Sequence, residues 1–279
     1  MKAGRRALSY KLFIGESVAA LTALLFLVPF YFALVNSFKP PSEILSHTAA
    51  FPRHFTWDNF VKAWDVLKFP RALYNSLVIT VFSNLGLTLI TAMAAHRMVR
   101  RPNGFNRLMF GLFVASMVIP FQAVMIPLVQ VIRATGLINT LAGVIFTYCG
   151  LGIAFSTFLF HGFVKSIPYE IEESALIDGC TPLGLFWRIV LPLLKPITVT
   201  VILLNTLWFW NDFLLPLLLL HNPEDRTVQL AINSLIGQFM TKWDLALAAL
   251  VMGIAPAVVF FLFLQRRIIE GITSGSVKG

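Results

Sequence analysis

Charge is scarce in this sequence. Asp, Glu, Lys and Arg make up 13% of its 279 residues, about half the share found in an ordinary soluble domain. Hydrophobic residues reach 57%, with 26 Phe among them. This amount of apolar surface exceeds what one soluble core can bury, so a second apolar solvent, the lipid bilayer, must cover the remainder. A soluble globular protein is therefore excluded.

The sequence also lacks the residues that most enzymes and metal sites require. Its two cysteines, Cys149 in an apolar run and Cys180 in a polar segment, support neither a disulfide framework nor a thiolate metal site. The Gly-x4-Gly-Lys-Ser/Thr phosphate loop is absent, so any ATP must bind to another chain. Paired intramembrane carboxylates and a histidine relay are absent as well. We predict a non-catalytic chain that binds no metal or cofactor itself.

Six apolar segments are long enough to cross a bilayer, whose hydrocarbon core of about 30 Å needs about 20 helical residues. The first is too long for the core of a signal peptide, so we interpret it as a retained helix. The sequence thus predicts an all-α integral membrane fold with six transmembrane helices in a single transmembrane domain, residues 1–279. The predicted spans are residues 12–35, 73–95, 108–132, 141–164, 196–220 and 245–264.

Basic residues predict the orientation of these spans. The short segment between the second and third spans holds Arg97, Arg100, Arg101 and Arg107, and short basic loops remain in the cytoplasm. Both termini then lie in the cytoplasm. The net charge of +9 is explained by this topology, so we expect contact with membrane lipid and none with nucleic acid. We predict a multi-pass protein of the cell inner (cytoplasmic) membrane.

The fifth span contains unusual polar residues. Asn205, Trp208 and Asp212 follow a spacing of i, i+3, i+7 and share one helix face, and Asn211 precedes the carboxylate. Aromatic rings with amide and carboxylate acceptors suit a sugar, so these four residues are candidates for lining a translocation pathway. Three alternatives remain: a tryptophan of the interfacial belt, an asparagine that joins two helices, and a carboxylate paired with a neighbouring subunit or reaching the interface.

The cytoplasmic segment 165–192 is predicted to form helix, turn and helix. Pro168 suits the start of the first helix, and Gly179 suits the left-handed residue that ends it. Thr181 and Pro182 suit the N-cap and first position of a second helix, which Pro192 should end. The second helix has an apolar face for packing, formed by Leu185, Phe186, Ile189 and Val190. A docking surface for a peripheral partner and a purely structural surface helix both fit this pattern.

The same segment resembles the cytoplasmic signature of binding-protein-dependent ABC importer permeases, the EAA loop. That signature is Glu-Ala-Ala, three residues, Gly, nine residues, and Ile-x-Leu-Pro. Here Glu173-Ser174-Ala175 is followed after three residues by Gly179, and after nine more by Ile189-Val190-Leu191-Pro192. Ser174 in place of the middle alanine is the one departure, and it replaces one small residue with another.

Two further segments resemble the carbohydrate-uptake branch of this family. Residues 210–215 are similar to the fifth-helix sequence of its oligosaccharide permeases, and the tail from Gln265 to Gly279 is similar to that of the maltose-type second permease subunit. The resemblance implies a sugar or oligosaccharide substrate, a second related permease subunit, two cytoplasmic ATPase subunits that hold ATP and Mg, and an extracytoplasmic solute-binding protein. It also implies that the tail reaches the ATPase.

The resemblance further implies which residues couple the permease to the ATPase, with the first loop helix seated in a groove of that subunit. These residues are Glu172, Glu173, Ser174, Ala175, Asp178, Gly179, Ile189, Leu191 and Pro192. The predicted function is the transmembrane permease subunit of an ATP-driven carbohydrate importer. The alternative is an ion-coupled secondary carrier for a polar solute, although the internal repeats and buried ion-coupling charges typical of carriers are not evident.

Overall fold

A computed structural model describes the backbone of residues 2–236 and 242–276, and the side chains of residues 12–236 and 242–263. The elements of the described residues are all helices, as predicted. In chain order the α-helices are α1 (Lys2–Ser37), α2 (Pro41–Ser46), α3 (Asp58–Val66), α4 (Phe69–Arg100), α5 (Gly104–Ser116), α6 (Phe121–Ala134), α7 (Leu141–Val164), α8 (Tyr169–Ile177), α9 (Pro182–Leu185), α10 (Leu191–Leu193), α11 (Lys195–Asn211), α12 (Leu214–Leu219), α13 (Val228–Asn233) and α14 (Trp243–Ser276).

Four of these helices are each long and apolar enough to cross a membrane. The stretches concerned are Leu12–Ser37 of α1, Phe69–Arg100, Leu141–Val164 and Trp243–Phe263 of α14. They include the predicted first, second, fourth and sixth spans. Two bent pairs bring the number to six if each pair counts as one span: α5 with α6, bent by 111°, and Pro182–Leu193 with α11, bent by 74°. The chain is therefore a multi-pass helical membrane protein with four to six spans.

The predicted third and fifth spans are interrupted. Residues 108–132 were expected to form one helix, but α5 ends at Ser116 and α6 begins only at Phe121, after Pro120 in extended conformation. A proline disfavours helical geometry in the residue before it and has no N–H to donate. Residues 196–220 also form two helices, because Asp212 adopts an extended backbone (φ −71°, ψ 128°) between α11 and α12.

The chain divides into two compact units, Met1–Phe69 with Ile232–Ala255 and Pro70–Ala231 with Pro256–Gly279. In the first unit, the segment after α1 is organised around a fully buried lysine. The Lys39 ammonium donates to Asn36 Oδ1 at 2.9 Å and to the carbonyl of His47 at 2.9 Å. Burial lowers the pKa of Lys39, and the nearby Glu43 carboxylate partly offsets that effect.

The second unit contains two apolar clusters. One surrounds the fully buried Tyr148 of α7 and includes Val144, Phe209 and Leu215. The other lies at the opposite end of α7, around Phe160 and Val164. The loop helices belong to this second cluster, so the loop is part of the packed body rather than an appendage.

Candidate functional site

The loop between α7 and α11 begins with α8 and the tight turn that ends it. Gly179 has a φ of +84°, the left-handed geometry predicted for it. The Gly179 N–H donates to Leu176 O at 3.1 Å, and the Cys180 N–H donates to Ala175 O at 3.0 Å. These bonds satisfy carbonyls that the helix end would leave open. A residue with a Cβ rarely adopts a positive φ, so glycine suits this position for conformational reasons.

The second loop helix begins as predicted and ends differently. Thr181 caps it, since Thr181 Oγ1 accepts from the Gly184 N–H at 3.1 Å, and Pro182 follows. We predicted its end at Pro192, but the helix continues through Leu193 by way of a π-helical turn at Phe186–Val190. The wider turn lies just before a proline that cannot donate a backbone hydrogen bond, and π turns accommodate such interruptions.

The apolar face of the loop packs against the membrane helices. Leu185, Phe186 and Val190 are buried, and Ile189 is half-buried. They lie in one cluster with the ends of α4 and α7, represented by Ala92, Ala95, Phe160 and Val164. The packing face predicted from the sequence is therefore confirmed, and any displacement of the loop must disturb the ends of these two helices.

A buried ionic cluster joins α8 to α4. Glu172 is 2% exposed. One of its carboxylate oxygens accepts from Arg100 Nε at 2.9 Å and lies 2.7 Å from Arg100 Nη2, and the other lies 2.8 Å from His96 Nε2. Arg100 also donates to the carbonyl of Ile167 at 2.9 Å, and its guanidinium lies over the Tyr169 ring. The start of α8 is thus fixed to the end of α4 at several points.

The charge of Glu172 is stabilised despite its burial. Burial alone would raise the pKa of this carboxyl group, because a low-dielectric site disfavours the charged form. Hydrogen bonds from Arg100 and His96, together with their charges, outweigh that effect, and the net shift lowers the pKa of Glu172. The cluster is therefore an ion pair at neutral pH.

The exposed side of α8, with the turn that follows it, presents most of the remaining predicted coupling residues. Glu173, Ser174, Asp178 and Gly179 are exposed. Ile177, which was not in the predicted set, lies between them in sequence and is 80% exposed. Ala175 is buried beneath this face, and Leu191 is half-buried while Pro192 is exposed. The predicted coupling set thus divides into an exposed surface suited to a partner and a buried part, chiefly Glu172 and Ala175, that holds the surface in place.

The predicted pathway residues of the fifth span lie at the contact between α11 and α7. The Tyr148 hydroxyl donates to Asp212 Oδ2 at 2.9 Å, and Asp212 Oδ1 accepts from the Leu214 N–H at 3.0 Å. Asp212 therefore caps α12 and is held by a residue of its own chain. The Trp208 ring packs edge-on against Tyr148 with ring centroids 5.8 Å apart.

The other two pathway candidates differ in their accessibility. Asn205 is 1% exposed and donates from Nδ2 to Ser156 Oγ of α7 at 3.1 Å. Asn211 is exposed, and its amide donates to the Leu207 carbonyl at 2.8 Å. Trp208 is 40% exposed and lines a cavity of about 500 Å³. Asn205, Trp208 and Asp212 all contact α7, as a shared face would, although Asp212 follows the end of α11 in an extended conformation instead of lying on the helix.

Sequence reasoning missed the partners of these residues and one polar stripe. His96 and Tyr148 were not singled out, and Arg100 was used only to predict the orientation, because the partners of these residues lie far away in sequence. The stripe comprises Thr80, Asn84 and Thr88 of α4, at a spacing of four that was visible in the sequence, and it lines a largely apolar cavity of about 630 Å³. Within it, Asn84 Nδ2 donates to Thr206 Oγ1 of α11 at 3.0 Å. Across the part of the chain that the structure describes, His, Cys, Asp and Glu form no cluster suited to a metal ion.

Comparison with known proteins identifies the family. Residues 84–274 match the family described as binding-protein-dependent transport system inner membrane component. A probable starch degradation products transport system permease protein, AmyC of Thermoanaerobacterium thermosulfurigenes, is 38% identical over 92% of this chain and 93% of its own. The melibiose/raffinose/stachyose import permease protein MelC of Bacillus subtilis is 35% identical over 94% of this chain and 95% of its own.

A solved structure supports the same fold. A bacterial ABC transporter involved in the import of the acidic polysaccharide alginate contains a chain that superposes with a TM-score of 0.83 at 20% identity, over 91% of this chain and 95% of that one. Members of the matched family are transport components rather than enzymes. The chain belongs to the binding-protein-dependent transport system inner membrane components, as a multi-pass permease subunit of an ABC importer.

Proposed function

We propose that this chain forms half of the translocation pathway of a carbohydrate importer and that residues 1–279 act as one transmembrane domain. It crosses the membrane six times with both termini and the loop 165–192 in the cytoplasm. Two relatives, a probable permease for starch degradation products and an import permease for melibiose, raffinose and stachyose, support the sugar assignment. The basic segment between α4 and α5 supports the orientation.

Coupling to the ATPase is the role of the loop, and the Glu172 cluster is the observation that carries this proposal. A surface that transmits force must be exposed to the partner and rigidly attached to the helices that move. Glu173 and Asp178 meet the first condition, since both are exposed, one on α8 and the other at its end. The bonds of Glu172 to Arg100 and His96 meet the second, because they fix the loop to α4.

Three partner chains and a binding protein follow from this role. The importer comprises this chain, a second related permease subunit and two cytoplasmic ATPase subunits that hold ATP and Mg, and it receives solute from an extracytoplasmic solute-binding protein. The predicted tail contact with the ATPase falls on residues 265–279, whose side chains lie outside the described residues. That contact therefore stays a prediction.

Alternating access follows if the loop makes different contacts in the two states of the ATPase. A contact that is equally favourable in both states shifts no equilibrium. When ATP closes the two ATPase subunits, the loops are drawn together and α4 and α7 follow, because the loop cluster includes their ends. The pathway then opens outward, and hydrolysis resets it.

Along the pathway, the exposed Trp208 and Asn211 contact the solute, and Asn205 and Asp212 hold them in position. An indole ring packs well against the apolar face of a sugar, and an amide can form hydrogen bonds with the sugar's hydroxyl groups. Support for this division comes from exposure: Trp208 and Asn211 are accessible, whereas Asn205 is buried against Ser156 and Asp212 is bonded to Tyr148.

Affinity purification of the tagged chain in mild detergent, followed by mass spectrometry and an ATPase assay, tests the proposal. We expect recovery of a second permease and an ATPase, with hydrolysis stimulated by a binding protein loaded with a starch-derived or raffinose-type oligosaccharide. Recovery of the chain alone, with uptake driven by an ion gradient and indifferent to ATP, would overturn the proposal in favour of the secondary carrier. The family assignment already disfavours that carrier.

A further inference from the structure

A cavity of about 260 Å³ lies where the ends of α4 and α7 meet the start of α5. Its polar lining consists of Asn106, Arg107, His161 and Lys165, and its apolar lining includes Val99 and Phe110. The cavity borders the loop cluster, since Val99 belongs to both, and it is separate from the contact between α7 and α11. The proposed coupling role does not use its polar lining.

His161 supplies a buried polar group with no protein partner. It is 9% exposed, and its ring stacks on Phe110 with centroids 3.7 Å apart and an interplanar angle of 19°. No described residue hydrogen-bonds to either ring nitrogen. Its ring nitrogens are not among the fully enclosed, unpaired polar atoms of the described residues, so a ring held in a fixed plane at the cavity wall is available to hydrogen-bond a ligand in the cavity.

The charges around the cavity are of one sign. Lys165 follows His161 by four residues and lies on the same face of the helix end, and Arg107 lies in the first turn of α5. Among the described side chains, no carboxylate lies within ion-pair distance of Arg107 or Lys165. Two uncompensated cations beside an imidazole favour an anion.

We propose that this cavity binds the phosphate group of an anionic phospholipid from the cytoplasmic leaflet. Basic pockets between membrane helices on the cytoplasmic side are suited to anionic lipid headgroups. Arg107 and Lys165 supply the charge, and His161 supplies the hydrogen bond. The apolar wall at Val99 and Phe110 favours a lipid over free inorganic phosphate, because it accommodates the glycerol and acyl portion. The choice of leaflet rests on the orientation given under the proposed function.

Lipid retention by the purified importer tests this site without relying on transport. The complex is reconstituted in phosphatidylcholine nanodiscs with a small fraction of phosphatidylglycerol, extracted into mild detergent and analysed by native mass spectrometry. The wild type should retain phosphatidylglycerol. The double variant Arg107→Gln/Lys165→Gln should bind it about thirtyfold more weakly, since each basic residue near an anionic lipid contributes about fivefold.

Arg97→Gln/Arg101→Gln is the matched control. It removes the same charge from the same end of the helices, but neither residue lines the cavity. If both double variants lose lipid equally, the attraction is general to the surface and the proposal fails. The single variant His161→Phe, which keeps a stacking ring, should also weaken retention. Displacement of the lipid by millimolar inorganic phosphate would assign the site to free phosphate and overturn the lipid assignment.

These outcomes are independent of the coupling role. A chain that copurifies with no ATPase would still bind the lipid if this inference holds. Conversely, an importer with normal hydrolysis and no retained phosphatidylglycerol would contradict the lipid site alone. Thermal unfolding of each double variant, measured in the same nanodiscs, separates loss of the site from loss of the fold.

Discussion

Arg100 and Glu172 are 72 residues apart in sequence, yet Nη2 and Oε1 lie 2.7 Å apart in the structure. The pair joins the end of a membrane helix to the first turn of the loop helix. The Glu172 side chain is almost fully buried, and the Arg100 side chain is 15% exposed. Removing one member of such a pair leaves an uncompensated charge, which costs far more than losing a surface ion pair.

Glu172→Ala should destabilise the protein by about 3 kcal/mol, because Arg100 and His96 would lose their shared acceptor. Thermal unfolding of the purified complex measures the effect. Glu173→Ala is the control: Glu173 is an exposed neighbour on the same helix, and its replacement should change stability by less than about 0.5 kcal/mol. Equal unfolding temperatures for the two variants would contradict the role given to the cluster.

The stability that the Glu172 carboxylate contributes should be lost as the pH falls. Its pKa in the folded protein is lowered from the ordinary value of 4.5, so its contribution is complete above that value and is lost as pH falls through the folded pKa. His96 and Arg100 are the ionisable groups that bond to it. The difference in stability between the wild type and Glu172→Gln should therefore shrink as the pH falls below about 4.5. A constant difference down to pH 3 would show that the charge of Glu172 is not involved.

Gly179→Pro should abolish uptake while membrane levels remain normal, because proline fixes φ near −65° and the turn needs +84°. Gly179→Ala should cost about 1 kcal/mol from backbone conformation alone, since an added Cβ would meet no atom within 4 Å. Gly162→Ala in α7, where a Cβ is equally unobstructed, should have no such cost. Sugar uptake normalised to the amount of permease in the membrane distinguishes these variants, and full uptake by Gly179→Pro would show that the turn is dispensable.

Glu173→Lys should prevent docking of the ATPase without unfolding the permease, because Glu173 is exposed on the outer face of α8. The measurement is the amount of ATPase that copurifies with the tagged chain, compared with uptake in cells. Asp65→Lys makes the same charge change at an exposed residue of α3, on the side predicted to lie outside, and should leave copurification unchanged. Full ATPase recovery with normal uptake would contradict the docking role of Glu173.

Asp212→Ala should alter the apparent affinity for sugar or the stimulated ATPase rate, because Asp212 caps α12 and anchors the helix end that carries Trp208. The lost cap alone should cost about 1 kcal/mol. Tyr148→Phe removes the hydrogen bond to Asp212 but keeps the ring that packs on Trp208, so it should have the smaller effect on sugar affinity. If neither affinity nor stimulated hydrolysis changes in Asp212→Ala, Asp212 is structural only.

The loop was predictable because its conformation depends on local chemistry. Gly179 supplies the left-handed turn and Thr181 the cap, and both act within a few residues of themselves. The buried cluster was not predictable, since nothing near Glu172 in sequence indicates that Arg100 will neutralise it. The sequence placed Glu172 with the exposed coupling residues, whereas it lies beneath them.

The breaks in the predicted third and fifth spans were missed for a different reason. Hydropathy averages over a window and does not register a change of direction within it. Pro120 lies within the predicted third span, and the structure places the bend of 111° just before α6, which Pro120 precedes. Asp212 was assessed as a charge in the membrane, yet it also ends α11 and starts α12. The two interpretations are compatible, because a carboxylate that caps a helix is a carboxylate with its hydrogen bonds satisfied.

The π-helical turn at Phe186–Val190 makes chain length itself a constraint on this loop. A π turn accommodates one residue more than an α-helix would over the same rise. Because the wider turn absorbs that residue, deleting one residue there would restore α-helical winding with little rotation of the flanking helices. Deleting one residue from the α-helical turn Pro182–Leu185 would instead rotate everything before the deletion by about 100° relative to α11. The nine-residue spacer between Gly179 and Ile189 therefore sets the direction in which the exposed surface of α8 points, whichever side chains occupy it.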